Sequence, residues 1–388
     1  MVTLIRFGYK MTEYSEIPEY WKVESLDNMI EILDTMRVPL SETERANKKG
    51  TIPYCGANGI IDYIDDYIFD DEAILIAEDG GNYGKFQNKA YIMTGKYWVN
   101  NHAHIFRGRT ELLENKFIMQ WFNFSDIRPY ISGSTRTKLN QEMLKRILVP
   151  VPSLQEQKKI AEILFTTDET IQRVNVEIAL AEKLKQGLMQ ILLTKGIGHT
   201  KFKITEIGEI PEEWCVKMIQ EYANVKYGRS NPKTKGTIPL IGSSGAFGTV
   251  GEALIPTPTI VIGRKGTAGA VWDIKTPSWP SDTSFYLEYK KEISQKFLFE
   301  FMSLNKLTGE NAKTTLPSVK KEEIEKFLFP LPPIIEQQKI ADILSIVDYK
   351  LELLGNKKAK LEKVKRGLMG DLLTGKIRVK LNTSKGED

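Results

Sequence analysis

The feature that most constrains this chain is an internal duplication. Displaced by 180 residues, the stretch from Leu148 to Ile197 falls on Leu328 to Ile377. Pro150, Pro152, Glu156, Gln157, Ile160, Ala161, Leu164 and Asp168 then meet Pro330, Pro332, Glu336, Gln337, Ile340, Ala341, Leu344 and Asp348. Further on, Lys185, Gly187, Leu188, Met189, Leu192 and Leu193 meet Lys365, Gly367, Leu368, Met369, Leu372 and Leu373. A second block repeats at an offset of 193, where Glu16, Ile17, Pro18, Glu19 and Trp21 meet Glu209, Ile210, Pro211, Glu212 and Trp214. Between these anchors the match is thin and the offset drifts. Each half is therefore a divergent globular part followed by a well-matched segment.

The matched segments read as long helices. Ile160, Leu164, Thr167, Ile171, Val174, Ile178, Ala181, Lys185, Leu188 and Leu192 step by alternating four and three residues, the a/d spacing of a coiled-coil seam. The second copy gives Ile340, Leu344, Val347, Leu351, Leu354, Lys358, Leu361, Lys365, Leu368 and Leu372. Pro150, Pro152 and Pro330 to Pro333 pre-set the helix starts, and Gly196 and Gly375 sit just past the ends. A helix from Leu154 to Leu193 would span about 60 Å at 1.5 Å per residue. Two such apolar stripes predict that the helices pack against each other.

The intervening parts carry short β-rich runs, Ala73–Ala77, Thr259–Ile262 and Ser284–Leu287, bounded by turn residues, and helical apolar spacing over Leu112–Asn123 and Ile293–Asn305. The expected class is α+β: two globular mixed α/β domains separated by two long helices that pair as a coiled coil, with an internal repeat. The predicted segments are 1–152, 153–197, 198–331 and 332–388. With 41% hydrophobic and 27% charged residues the chain can build real cores. No stretch approaches the roughly 18 uncharged apolar residues of a membrane span, and the first twenty residues hold no apolar signal region. Cys55 and Cys215 allow no disulfide framework or four-cysteine zinc site; they read as buried thiols in a reducing cytoplasm. Net charge is only +4, but Lys350 to Lys380 carries ten basic and three acidic residues, concentrating the excess on the last helix and tail.

Catalytic readings are weak. Asp282, Glu288 and Lys290 have the carboxylate–carboxylate–lysine spacing of a metal-assisted nuclease, yet the first half shows no counterpart. Asp70-Asp71-Glu72 resembles a helicase acidic box, but no Gly-x-x-x-x-Gly-Lys-Ser/Thr phosphate loop accompanies it. His102 and His104 share a strand face with no acidic or cysteine partner nearby in sequence, so no metal site is expected. Gly263-Arg264-Lys265-Gly266 is a basic Gly-rich loop that serves equally as a phosphate cradle or a plain turn.

Taken together, Gly208-Glu209-Ile210-Pro211-Glu212-Glu213-Trp214, the two Pro-x-Pro…Glu-Gln helix openings and the two Lys-x-Gly-Leu-Met-x-x-Leu-Leu-Thr closings resemble the specificity subunits of type I restriction-modification systems over essentially the full length. Ser15 stands where the second copy has Gly208, and Ala77-Glu78-Asp79 replaces the basic Gly263-Arg264-Lys265 loop. The resemblance implies that the two long helices run antiparallel in a pseudo-two-fold repeat and separate two target-recognition domains, each reading half of an asymmetric bipartite site in double-stranded DNA, with the helices setting the spacer. It implies no catalysis by this chain. Partners would be two modification subunits, carrying S-adenosylmethionine for adenine-N6 methylation, and restriction subunits using ATP and Mg. Base readers are expected among polar loop residues. In the first domain these are Asn58, Asn82, Tyr83, Lys85, Asn101, His102, Arg136 and Lys138. In the second they are Ser243, Ser244, Arg264, Lys265, Thr267, Ser281, Asp282, Lys313 and Thr314. The competing reading is a coiled-coil scaffold with two ligand-binding β-rich domains.

Overall fold

The computed structural model describes residues 6–12, 16–133, 137–305, 307 and 318–381, so Ser15, Arg136, Lys313 and Thr314 lie outside the described residues. Two helices of 39 residues, Leu154–Leu192 and Ile334–Leu372, dominate the chain. It divides into two compact units, one formed by 1–175 with 356–388 and the other by 176–355. Each unit thus contains one globular domain and one half of each long helix, so the units cut across the sequence segments at the helix midpoints.

In the first unit an antiparallel sheet runs in the order Ile30–Ile32, Ala103–Gly108, Ala73–Ala77, Ala90–Met93. The strand Ala73–Ala77 is buried at all five positions because the sheet is covered on both faces. Ile74 and Ile76 point to a core built with Phe117, Trp121 and Phe122 of the helix Asn115–Phe124. Ala73 and Leu75, with period-two alternation, point to a smaller core with Phe69, Tyr97 and Val99. A second sheet contains the hairpin Lys49–Gly56/Gly59–Ile64, with Lys96–Val99 added in parallel. A short pair, Lys22–Ser25 with Leu148–Val151, leads the chain into the first long helix.

The second unit repeats this topology. Its antiparallel sheet runs Ala223–Tyr227, Ser284–Tyr289, Thr259–Gly263, Val271–Ile274, and the hairpin Ile238–Gly242/Gly245–Val250 again takes a parallel partner, Trp279–Pro280. Cys215–Met218 pairs with Leu328–Leu331 ahead of the second long helix. Cys55 is buried, its thiol pushed up to about 12 by that burial, whereas Cys215 is exposed, correcting the expectation that both are buried.

The predicted seam forms within each unit. In the first, Ile160, Leu164, Ile171 and Val174 are buried and Leu372 with them, while Leu361 and Leu368 are half-buried. In the second, Ile340, Leu344, Val347, Leu354 and Leu192 are buried, and Ile178, Leu188 and Leu351 half-buried. The seam is not purely apolar. Lys365 Nζ lies 2.5 Å from Asp168 in the first unit, and Lys185 Nζ lies 2.7 Å from Asp348 in the second. Gln120 donates to Asp168 at 2.6 Å, and at the repeat-equivalent position buried Glu300 shares Lys185 (3.2 Å) and Lys296 (2.6 Å). The seam lysines thus have carboxylate partners supplied by the other helix. The helix ends run past the seam into the domain cores: Met369, Leu372 and Leu373 in one, Met189, Leu192 and Leu193 in the other.

The repeated Glu-Gln pair pins each helix start. Buried Gln157 donates to the Leu112 (3.0 Å) and Pro152 (3.1 Å) carbonyls and accepts from the Glu114 N–H (2.9 Å). Gln337 does the same with Pro332 (2.8 Å) and the Ser294 N–H (2.9 Å). Glu336 accepts from Trp214 Nε1 (3.0 Å), the Ile197 N–H (2.9 Å) and His199 Nε2 (2.8 Å). Gly196, at φ +66°, passes so close to this cluster that a Cβ would sit 2.6 Å from the Trp214 ring and 2.5 Å from Glu336. Glycine is required there.

Burial pushes the Asp348 carboxyl up, but hydrogen bonds from Lys185 and Lys296 outweigh it and hold the group below the ordinary carboxylate range. A depressed folded value contributes stability that is present above the unfolded pKa, about 3.9, and lost as pH falls through the folded one. Asp348→Asn is therefore expected to lower stability at pH 7 and to lose that deficit toward pH 3. Urea unfolding of both proteins at the two pH values checks this; a deficit constant with pH would contradict it.

Candidate nucleic-acid interface

In the second unit three loops meet at the edge where the strand Thr259–Gly263 ends. The first is Arg264–Ala270, closed by Gly263 N–H to the Ala270 carbonyl (2.8 Å) and Gly269 N–H to the Gly263 carbonyl (2.8 Å). The second is the hairpin turn at Ser243–Ser244, and the third is Ser281–Thr283. The Arg264 N–H donates to the Thr283 carbonyl (2.9 Å), the Ser243 N–H to Thr283 Oγ1 (3.3 Å), and the hydroxyls of Ser244 and Thr267 hydrogen-bond at 2.9 Å. Gly228 faces the third loop so tightly that a Cβ would lie 2.0 Å from the Ser281 carbonyl.

This brings Ser243, Ser244, Arg264, Lys265, Thr267 and Asp282 to one edge. Ser244, Lys265, Thr267 and Asp282 are exposed, and Ser243 and Arg264 half-buried. Ser281 is 2% exposed, its hydroxyl engaged with Thr283 (2.8 Å), so it shapes the loop instead of facing a ligand. Sequence reading missed Tyr227, Arg229 and Phe247, all exposed. Arg264 lies over the Tyr227 ring (5.1 Å) and the Phe285 ring (5.9 Å) and donates to the Asp282 carbonyl (3.2 Å). The available signal was an aromatic directly before a glycine, in Tyr227-Gly228 and Phe247-Gly248.

The equivalent edge of the first unit is built differently. Where the second strand runs into Arg264-Lys265, the first runs into Glu78-Asp79. Glu78 meets Arg37 (2.7 Å) and Lys138 (3.0 Å), and Asp79 meets His102 Nδ1 (3.1 Å). Below them His104, 2% exposed, engages Asp34 (2.5 Å) through Nδ1 and the Leu139 carbonyl (2.6 Å) through Nε2. Burial raises the Asp34 and Glu78 carboxyls, yet His104 and Arg37 with their neighbours hold both below the usual range. The expectation that the two histidines lack acidic partners is thus corrected: the partners come from distant elements. Asp34, Glu78 and His104 offer ligand atoms within 4.8 Å of one another, but the Arg37 guanidinium already bridges the two carboxylates.

Asn101 and Lys138 are exposed and His102 half-buried at this edge, and Asn58 is exposed in the neighbouring hairpin turn. Asn82 and Lys85 are exposed on the loop before Ala90, where Lys85 lies over the Phe124 ring (4.8 Å). That loop is anchored by Lys89, 1% exposed, whose Nζ donates to the Phe122 (2.7 Å), Ser125 (3.0 Å) and Gln87 (3.2 Å) carbonyls; burial pushes it down to about 8. Tyr83 is 4% exposed and donates to the Ala77 carbonyl (3.2 Å), so it is a packing residue and not a surface reader.

The catalytic candidates disperse. Asp282 and Glu288 are separated by a strand rising about 3.3 Å per residue, too far to share an ion. Glu288 accepts from Asn224 (3.0 Å), and Lys290 donates to the Gln220 carbonyl (2.6 Å). In the acidic box, Asp71 holds Tyr97 (3.0 Å) and Arg107 (3.1 Å), and Glu72 holds Asn115 (2.9 Å). Among the described residues, no helix is long and apolar enough to cross a membrane.

Comparison with known proteins agrees with the duplicated architecture. Residues 18–182 and 199–363 each match the type I restriction modification DNA specificity domain. The chain is 27% identical, over 98% of its length and 100% of the relative, to a protein of Methanocaldococcus jannaschii described as a putative type I restriction enzyme specificity subunit. It is also 27% identical, over 90% of its length and 91% of the relative, to a putative specificity subunit of Haemophilus influenzae. It shares the fold of the crystallised type I S subunit of M. genitalium, with TM-score 0.66 and 16% identity over 94% of this chain and 99% of that one. The chain belongs to the family of type I restriction-modification specificity subunits.

Proposed function

We propose that this chain supplies the DNA address of a restriction-modification assembly and no chemistry of its own. Each domain reads one half of a split, asymmetric target in double-stranded DNA, and the paired helices set the gap between the halves. Half-sites one helical turn apart lie roughly 34 Å from centre to centre, within reach of helices of this length. The observation that carries the reading is that one scaffold, built twice, ends at the equivalent edge in unlike chemistry. Arg264 and Lys265 stand in one copy where Glu78 and Asp79 stand in the other. Two unlike readers on one chain demand an asymmetric target. Adenine-N6 methylation would belong to modification subunits carrying S-adenosylmethionine, and cleavage to restriction subunits using ATP and Mg. The match of both halves to a DNA specificity domain favours this reading over the scaffold alternative.

The long helices also offer a docking face for a modification subunit. In the second unit Val176, Leu180 and Leu184 are exposed at four-residue spacing, off the seam line of Val174, Ile178 and Ala181. With Lys185 level with Asp348, these leucines come level with exposed Tyr349 and Leu353 on the antiparallel partner. An uncovered apolar face of this extent marks an interaction site. Leu180→Lys combined with Leu184→Lys should leave stability nearly unchanged, since both side chains face solvent, and should reduce co-purification with the modification subunit at least about tenfold. Undiminished recovery would remove this face from the interface.

Deleting the gene should abolish N6-methyladenine at one split motif in the host genome and leave other methylated motifs intact. A methylome unchanged by the deletion would refute the proposed function.

A further inference from the structure

Among the described residues Arg264 is a cation without a carboxylate partner. Arg37, Arg45, Arg107 and Arg128 are each held by an acidic side chain, whereas Arg264 is held by two rings and one carbonyl. Its guanidinium stacks on half-exposed Tyr227, which in turn packs on buried Phe285 with ring centroids 4.9 Å apart. One nitrogen, Nη1, is spent on the Asp282 carbonyl. The backbone on either side is tied down, by Arg264 N–H to the Thr283 carbonyl and by Val319 N–H to the Arg264 carbonyl (3.1 Å). The side chain is thus pre-oriented, planar and short of acceptors, the condition in which an arginine gains most from a bidentate acceptor pair. A phosphate needs no such bracing, because a flexible lysine serves as well; neighbouring Lys265 is exposed and forms no ion pair among the described residues.

On the strength of the proposed function, we infer that Arg264, positioned by Tyr227, reads a guanine in the half-site of the second domain by donating two hydrogen bonds to its O6 and N7 edge. Lys265 anchors the adjoining phosphate. Glu78, the equivalent residue of the first domain, is neutralised by Arg37 and Lys138 and makes no such contact, so the effect is confined to one half of the target.

The test uses the full chain co-expressed with its modification subunit, with the methylated motif mapped for wild type, Arg264→Lys, Tyr227→Leu and Lys265→Ala. Arg264→Lys keeps the charge and removes the fork, so discrimination for guanine over the other bases should fall roughly 10- to 100-fold at one position. The other half-site should keep its sequence. Tyr227→Leu should give a smaller loss at the same position, and Lys265→Ala should weaken binding evenly across sequences and flatten its salt dependence. Thermal unfolding of each variant establishes that it is folded; if Tyr227→Leu is not, the Arg264→Lys result stands alone. An Arg264→Lys motif identical to wild type, or uniform weakening with no change in base preference, overturns the inference and leaves the proposed function standing. A wild-type complex that methylates no split motif sinks the proposed function itself.

Discussion

The fold depends on two buried-edge ion pairs at equivalent points of a duplicated helix. A lysine at a seam position is costly unless a carboxylate meets it, because desolvating an unpaired charge outweighs the apolar contacts a slipped register would preserve. Lys365 meets Asp168 in one unit and Lys185 meets Asp348 in the other. Sliding either helix by one turn would strand both lysines. Leucine and isoleucine supply the attraction along the seam, and the ion pairs choose the register, the role polar residues play in coiled coils generally. The same positions reach outward to Gln120 and Glu300, tying each domain's helix to the register of the long pair.

That division of labour explains which parts of the two copies could diverge. The Glu-Gln openings, the Trp214–Gly196 closure and the seam are constrained by buried hydrogen bonds, since a lost partner there leaves a desolvated donor or acceptor. The loops at the strand ends are tied to one another and to nearby side chains, as Arg264 N–H is to Thr283 and Glu78 to Arg37 and Lys138, so each edge can change as a set. One unit therefore carries a compensated acidic cluster around Glu78, and the other an arginine on an aromatic shelf with no carboxylate partner among the described residues, without disturbing the sheets beneath. A scaffold of this kind lets two half-site preferences change independently.

Much of this was legible in the residues. Proline before and glycine after the first matched block put its helix over Leu154–Leu193, one residue longer than the Leu154–Leu192 observed, and the heptad spacing named the buried face. What spacing could not supply was the identity of long-range partners. Lys185 and Lys365 stood on the seam line with no visible reason, because their carboxylates lie on the other helix. His102 and His104 read as partnerless because Asp34 is 70 positions upstream of His104. Tyr83 and Ser281 were read as surface residues since a loop hydroxyl looks the same whether it faces solvent or a backbone carbonyl. Tyr227, Arg229 and Phe247 went unread because an aromatic or cation beside a glycine looks the same in sequence whether it is packed or left uncovered.

Bipartite recognition requires each domain to read independently from an equivalent seat. Its most direct test is a hybrid in which the first domain's sequence also replaces the second domain, between the retained helices, assembled with the modification subunit and mapped by methylation. An interrupted palindrome is expected, with the first half-site of the parent motif facing an inverted copy of itself across the same gap. A hybrid that still methylates the parent's asymmetric motif, or one whose two halves form a direct repeat, would contradict it.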